Sequence, residues 1–420
     1  MKKILSLTLA LVLVLGLAAC GGKTEAPAAT TAAPAANGEA AAPETEAAVA
    51  DVKLGFIFLL EENSTYDLNF MNGAKEAVAA LGLTEDQYIF RTNIPEGQEC
   101  YDAACELADA GCNIIFADSF GHEDYMIQAA KVFPEVQFCH ATGTKAHTEG
   151  LSNYHNAFAA IYEGRYLAGV VAGLKLNEMI ENGAFTAEEA KMGYVGAFTY
   201  AEVQSGYTSF FLGAKSVCPT VTMDVTFTGS WYDETAEKEA ANRLIGNGAK
   251  LISQHADSMG APTACETAGV PNVSYNGSTV AACPNTFLVS SRINWAPYYE
   301  YVVNCVKNGE AIPADWTGTI ASGSVVLTDI NEAACAAGTA EKLAEVKADI
   351  ESGKLHVFDV STFTVDGKPL DSYMADVDTD PDYTPDTEVV ENGYFNESAK
   401  RSAPYFNVGI DGINLLDTAF

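Results

Sequence analysis

Positive charge is what this sequence has least of. Across 420 residues, 23 Lys and Arg stand against 56 Asp and Glu, a formal net charge of −33. Affinity for a phosphate backbone rests on cations that displace counterions, so a duplex DNA or RNA partner is excluded. Charged residues are only 19% and apolar ones 48%, so the acidity reflects scarce cations rather than a disordered chain. Past the first twenty residues no apolar run approaches the roughly 20 that a membrane helix needs. The ten cysteines include no C-x-x-C pair, which removes zinc ribbons and thioredoxin-like motifs. HExxH is absent and no two histidines stand four apart. His140, His155 and His255 therefore read as satisfied strand-end histidines, and no metal is expected. G-x-S-x-G, P-loop and G-x-G-x-x-G motifs are missing too, and carboxylates such as Asp118 and Asp124 show no acid–base spacing. Neither catalysis nor a cofactor is expected.

What is present begins with an address. Lys2 and Lys3 precede an uncharged apolar run, Ile4 to Ala19. It ends in Leu17-Ala18-Ala19-Cys20, followed by two glycines, which resembles a bacterial lipobox. Residues 1–19 are thus expected to be a lipoprotein signal peptide, and the Cys20 thiol to carry lipid. From Gly21 to Ala50 the chain is Ala, Pro, Thr and Glu with no Ile, Leu or aromatic residue, too polar to order itself. As a coil it spans roughly 30 Å, enough to tether a folded body to the extracytoplasmic face of a membrane. Nine cysteines remain, an odd number whose redox state stays open. Cys112, Cys139, Cys218 and Cys305 lie in or beside apolar segments and read as small buried hydrophobes.

From Val52 the pattern alternates. Val52–Leu60 is a nearly continuous apolar run, as in a strand covered on both faces. Helix is expected over Leu68–Leu81, strand over Tyr88–Thr92, helix over Cys100–Ala110, and strand over Asn113–Ala117. A helix over Tyr125–Val132, a strand over Val136–His140 and a long helix over Phe158–Leu176 follow. The alternation restarts at Lys191–Ala197. It continues through helix Gly206–Ser216, strand Val221–Phe227, helix Ala236–Asn247, strand Leu251–His255, helix Ala261–Ala268 and strand Asn272–Tyr275. Two such runs predict an α/β fold of two doubly wound parallel-sheet lobes with a ligand cleft between them. The first lobe is expected from 51–155 and 286–320, and the second from 156–285. Ser324–Thr328 and His356–Val365 are expected as later strands within 321–420, whose lobe stays open, and Asp376–Asp386 as a surface loop. Glu163 and Arg165 read as a structural ion pair.

Ligands of doubly wound sheets bind beyond the strands' C-terminal ends. Here those loops hold aromatic rings and hydrogen-bonding groups: Glu61–Asp67, Asp118–Gly121, His140–Gly143, Phe198–Tyr200, Gly229–Asp233, His255–Ser258 and Asn276-Gly277. Rings with carboxylates and amides suit a flat heterocycle or a sugar, and stacking a base on an aromatic ring contributes roughly 1–3 kcal/mol. With almost no Lys or Arg in these loops, a nucleotide's phosphates would lack partners, which favours a base or nucleoside. Asp233 precedes Ala236-Glu237 and reads mainly as a helix cap.

Four segments, Tyr66–Gly73 (YDLNFMNG), Tyr162–Gly173 (YEGRYLAGVVAG), Gly229–Glu239 (GSWYDETAEKE) and Asn294–Tyr299 (NWAPYY), resemble the basic membrane protein family, the PnrA-like purine receptors of ABC importers. The resemblance runs from about Val52 to Val365 and implies a type I periplasmic binding protein fold. It implies no enzyme, but a hinged lipoprotein that hands a purine base or nucleoside to an ABC permease, held to the membrane through its lipid only, as a monomer. By position, Tyr66 and Trp231 take the places of the family's two stacking aromatics, where Phe is usual. His140 and Asn276 stand where nucleoside receptors present Asp, which favours a free base. Phe120, Asp257, Phe198, Asn294 and Trp295 complete the expected ligand set. A purine sensor signalling to a membrane partner, a sugar binder of the same fold and a nucleosidase are the alternatives.

Overall fold

The structure is a computed structural model that describes residues 52–377 and 384–417. The leader, Cys20, the tether and residues 378–383 of the acidic stretch lie outside the described residues. The chain runs β1 (Leu54–Ile57), α1 (Thr65–Ala80), β2 (Tyr88–Arg91), α2 (Gln98–Asp109), β3 (Ile114–Ala117), α3 (Glu123–Val132), β4 (Gln137–Ala141), α4 (Ala146–Glu149), β5 (Tyr154–Ala159) and α5 (Ile161–Glu181). Next come β6 (Lys191–Gly196), α6 (Ala201–Val217), β7 (Thr222–Phe227), α7 (Glu234–Gly246), β8 (Leu251–His255), α8 (Gly260–Ala268), β9 (Asn272–Tyr275) and β10 (Phe287–Ile293). The chain continues with α9 (Ala296–Asn308), β11 (Asp315–Gly318), β12 (Val325–Leu327) and α10 (Thr339–Glu351). Two short ribbons, β13 (Met374–Ala375) with β14 (Thr387–Glu388) and β15 (Val390–Glu391) with β16 (Tyr394–Phe395), precede β17 (Ile413–Leu415).

The first sheet has the order β11-β5-β4-β3-β1-β2 and is parallel throughout. The second has the order β12-β10-β9-β8-β6-β7-β17, in which only β12 is antiparallel to its neighbour. β1 and β3 are wholly buried, as parallel strands covered by helices on both faces must be. The chain passes between the sheets three times: from β5 into α5, from β10 into α9, and from β11 to β12. α9 packs beside α1, where a Cβ on Gly73 would stand 2.9 Å from Trp295 Cβ, so that glycine of the Tyr66–Gly73 segment permits the close approach. A Cβ on Gly169 of α5 would lie 2.0 Å from the Phe210 carbonyl oxygen of α6. The glycines of Tyr162–Gly173 thus let two buried helices meet backbone to backbone, behind the second sheet.

Four expectations are corrected. Phe287–Ile293 pairs with β9 and β12, so it belongs to the second sheet and not the first. The first sheet continues to Ala159, because Tyr154–Ala159 is a strand where the long helix was expected to begin. His356–Val365 forms no strand: Asp359 accepts the Ser361 N–H at 2.9 Å and its carbonyl accepts the Thr362 N–H at 3.0 Å, which turns the chain. Glu163 does not pair with Arg165; its Oε2 accepts the Ile320 N–H at 2.8 Å, and burial pushes its carboxyl up to about 7. The C-terminal segment ties to both sheets. Ser402 donates to Asp315 Oδ1 of β11 from its N–H at 2.8 Å and its hydroxyl at 2.6 Å, and β17 extends the second sheet beside β7.

Candidate functional site

The strand-end loops of the two sheets enclose a narrow slot. Tyr66, Asp67, Ser119, Phe120 and Thr142 line it from the first lobe, and Glu202, Trp231, His255, Asp257 and Tyr275 from the second. The first lobe's wall begins where Ser64 caps α1, its hydroxyl accepting the Asp67 N–H at 3.2 Å. That cap places Tyr66 and Asp67 in the first turn, facing the slot. The Tyr66 hydroxyl donates to the Asp118 carbonyl at 2.8 Å, and its ring leans on Phe70 at 4.8 Å between centroids. Asp67 accepts the Leu60 N–H at 2.7 Å and the Ser64 hydroxyl at 2.5 Å. Beside it, burial and the Asp67 charge push the Asp118 carboxyl well above the carboxylate range, and burial raises Asp67 as well.

The second lobe's wall is built differently. Asp257 is buried, and its carboxyl makes no hydrogen bond to a described residue. Burial, reinforced by Asp67, Glu237 and Glu202, pushes it well above the carboxylate range, while Arg165 pulls it back. His255 donates from Nε2 to Glu202 at 2.9 Å, and burial lowers its affinity for a second proton, leaving the ring neutral. The Tyr275 hydroxyl is buried without a partner among the described residues. Trp231 packs edge-on against Phe198 at 5.0 Å. Contacts between the lobes hold the slot closed: the Thr65 N–H donates to the Asp257 carbonyl at 3.1 Å, and Asn63 donates to the Tyr232 hydroxyl at 3.3 Å. Phe120 stacks on Tyr200 at 5.0 Å, although both rings remain more than a third exposed, so the pair roofs the opening.

Of the expected ligand residues, Tyr66, Trp231, Phe120 and Asp257 come together here, and five stand behind the lining. Phe198 supports Trp231. His140 donates from Nε2 to the Ser119 carbonyl at 2.7 Å and so shapes the loop rather than the slot. Asn276 adopts a left-handed φ of 63° and its N–H bonds to the Ser291 carbonyl at 2.9 Å. Asn294 Oδ1 accepts the Ala296 N–H at 3.3 Å as the chain re-enters the first lobe. Trp295 is 1% exposed and stacks on Phe70 at 4.3 Å, one ring behind Tyr66. Glu202 and Tyr275 are lining residues outside the expected set: Glu202 follows the Phe198–Tyr200 loop in the first turn of α6, and Tyr275 ends β9 just before Asn276-Gly277. Asp233 is a cap, its Oδ1 accepting the Ala236 N–H at 2.9 Å. No cluster that could hold a metal exists among the described residues.

Two doubly wound lobes joined by three crossings, with a closed slot between their strand ends, define a solute-binding clamp of the periplasmic type. The particular family follows from sequence: residues 57–357 match the family of PnrA-like ABC transporter substrate-binding proteins, and the chain belongs to it. It is a substrate-binding protein of an ABC transporter, not an enzyme, and it works outside the cytoplasm. A purine-binding protein of Brucella abortus is 32% identical over 312 residues, 73% of this chain and 83% of that protein. A Haloferax volcanii protein named for ABC-transporter glucose binding is 30% identical over 214 residues, about half of each chain (51% and 51%). A solved ABC-transporter solute-binding protein from Conexibacter woesei superposes with a TM-score of 0.60 at 19% identity, covering 73% of this chain and 98% of its own.

Proposed function

We propose that the chain captures a purine, as free base or nucleoside, between the rings of Tyr66 and Trp231 and delivers it to an ABC permease. One observation carries this reading: two aromatic side chains from opposite lobes line one narrow slot beside a carboxyl that no described residue hydrogen-bonds. Stacking takes the faces of a flat heterocycle, while Asp257 takes an N–H on its edge, a buried acceptor that discriminates because leaving it unpaired is costly. Because each lobe supplies one ring, ligand binds the closed form better and so drives closure. The relationship to a Brucella purine-binding protein supports the same ligand class. Lipid on Cys20 would hold the monomeric clamp at the membrane, and labelled palmitate that still enters a Cys20→Ser variant would refute this.

A sugar is the second reading, favoured by the glucose-binding name of one relative. Mass spectrometry of ligand carried through purification, followed by a thermal-shift panel of purines and monosaccharides, separates the two. A ligand at 100 times its Kd adds about 2.7 kcal/mol of stability. Stabilisation by monosaccharides and not by purines overturns the proposal. Permease and ATPase genes found beside this one would favour import over sensing.

A further inference from the structure

Arg165 of α5 is 1% exposed and lines no part of the slot. A guanidinium at such depth normally meets a carboxylate, since an unpaired buried charge is costly. Among the described residues no acid lies within ion-pair distance of it, and its Nε and Nη2 have no hydrogen-bond partner. Its Cζ also lies 5.9 Å from the centroid of the Tyr194 ring, and two closer attachments remain. Nη1 donates to the Gln254 carbonyl at 2.9 Å, and Cζ lies 3.4 Å from the centroid of the Tyr275 ring. Both sit at strand ends that carry lining residues. The Gln254 side chain in turn donates to the Ala256 carbonyl at 3.0 Å and the Ser258 carbonyl at 3.3 Å, bracketing Asp257. Tyr275 meets His255 at 4.8 Å. α6 comes close on the other side, where a Cβ on Gly206 would stand 2.8 Å from His255 Nδ1 and 3.6 Å from Arg165 Nε.

We propose that Arg165 is the positioning residue of the second lobe's half of the site: it fastens the ends of β8 and β9 and so holds in place the loop that carries Asp257. The planar fork suits this double task, stacking on a ring while donating in its own plane, which an ammonium cannot do. Charge matters as much as shape. Asp257 faces Asp67 and Tyr66 from α1, Glu202 from α6, Glu237 from α7 and Tyr275 from β9, with His255 two residues before it. Against those groups Arg165 is the cation that draws the Asp257 carboxyl back toward ionisation. The chemical role rests on the purine reading, in which Asp257 accepts from the ligand's N–H edge; the positioning role does not.

The test uses Arg165→Met, Arg165→Lys and Asp257→Asn, alone and combined. Titration with adenine, guanine and hypoxanthine is expected to show at least tenfold weaker binding for Arg165→Met, with partial recovery in Arg165→Lys. In an Asp257→Asn background, Arg165→Met should weaken binding by less than threefold. Without any ligand, the Asp257 carboxyl followed by carbon NMR, assigned by its loss in Asp257→Asn, should titrate at higher pH in Arg165→Met than in wild type. Wild-type protein that binds no purine refutes the ligand class and leaves that titration as the measure of Arg165. A folded Arg165→Met with wild-type affinity and an unmoved Asp257 midpoint overturns the proposal. Should Arg165→Met not fold, Arg165→Gln, neutral yet able to donate to the Gln254 carbonyl, is held to the same two criteria.

Discussion

The two halves of the slot are made to different specifications. On the first lobe the polar groups are committed: the Tyr66 hydroxyl to a backbone carbonyl, and both Asp67 oxygens to Leu60 and Ser64. On the second, the Asp257 carboxyl and the Tyr275 hydroxyl have no partner in the described structure. One wall thus gives shape and the other gives chemical reading. A clamp of this kind can stack a flat ligand on the first lobe and then test its edge as the second closes.

The comparison breaks most easily at Asp257. Replacement by Ala is expected to weaken purine binding up to about a hundredfold, since leaving the ligand's buried N–H unpaired costs about 1–3 kcal/mol. Calorimetry checks this, and a loss below threefold would make the second wall as mute as the first. Next in size are the rings. Tyr66→Ala and Trp231→Ala should each cost roughly 1–3 kcal/mol of binding, the range for one base–aromatic stack. Tyr66→Phe should stay within about threefold of wild type, because its hydroxyl serves the first lobe's own backbone. A large loss in Tyr66→Phe would show the phenol reading ligand after all.

The doubly wound body was legible because β1, β3 and β6 are apolar runs of strand length between helical spacings. β5 was not, since it buries polar residues. His155 is satisfied by the Pro313 carbonyl at 3.0 Å and Gln137 at 2.8 Å, and Asn156 by the Ala146 N–H at 2.7 Å. Periodicity names a strand but not its sheet, which is why Phe287–Ile293 was assigned across the cleft. In the site, ring-bearing loops could be read from composition. Which ring faces ligand could not: Trp295 and Tyr66 lie on the two sides of Phe70, and only packing distinguishes them. Glu202 sits in the first turn of α6, where an acid reads as a helix-dipole partner.

A smaller effect should attend the roof. Phe120 from one lobe and Tyr200 from the other stack at 5.0 Å, and aromatic pairs contribute about 0.5–1.5 kcal/mol beyond their buried area. Phe120→Ala should therefore raise the ligand's dissociation rate by a few-fold in stopped-flow displacement, with little change in association. An unchanged dissociation rate would remove closure from the ring pair's role.

The smallest expected effect concerns what joins the halves rather than what they read. Glu163 ties α5 to the connection between β11 and β12 through the Ile320 N–H, and burial lifts its carboxyl to about 7. Because this folded-state value lies above that of an unfolded glutamate, the protonated form is favoured by folding. The contribution is complete below about 4.5 and is lost as pH rises through about 7. Glu163→Gln keeps the acceptor and never ionises. It should match wild type at pH 4 and exceed it by about 1 kcal/mol at pH 8, a figure reduced for the group's partial exposure. Glu237 and Glu397, both also lifted to about 7 by burial, titrate in wild type and variant alike and cancel from the difference. Thermal unfolding at the two pH values measures it. Parallel curves would mean that Glu163 stays ionised in the fold, and that the crossing is tied by a charge rather than by a neutral carboxyl.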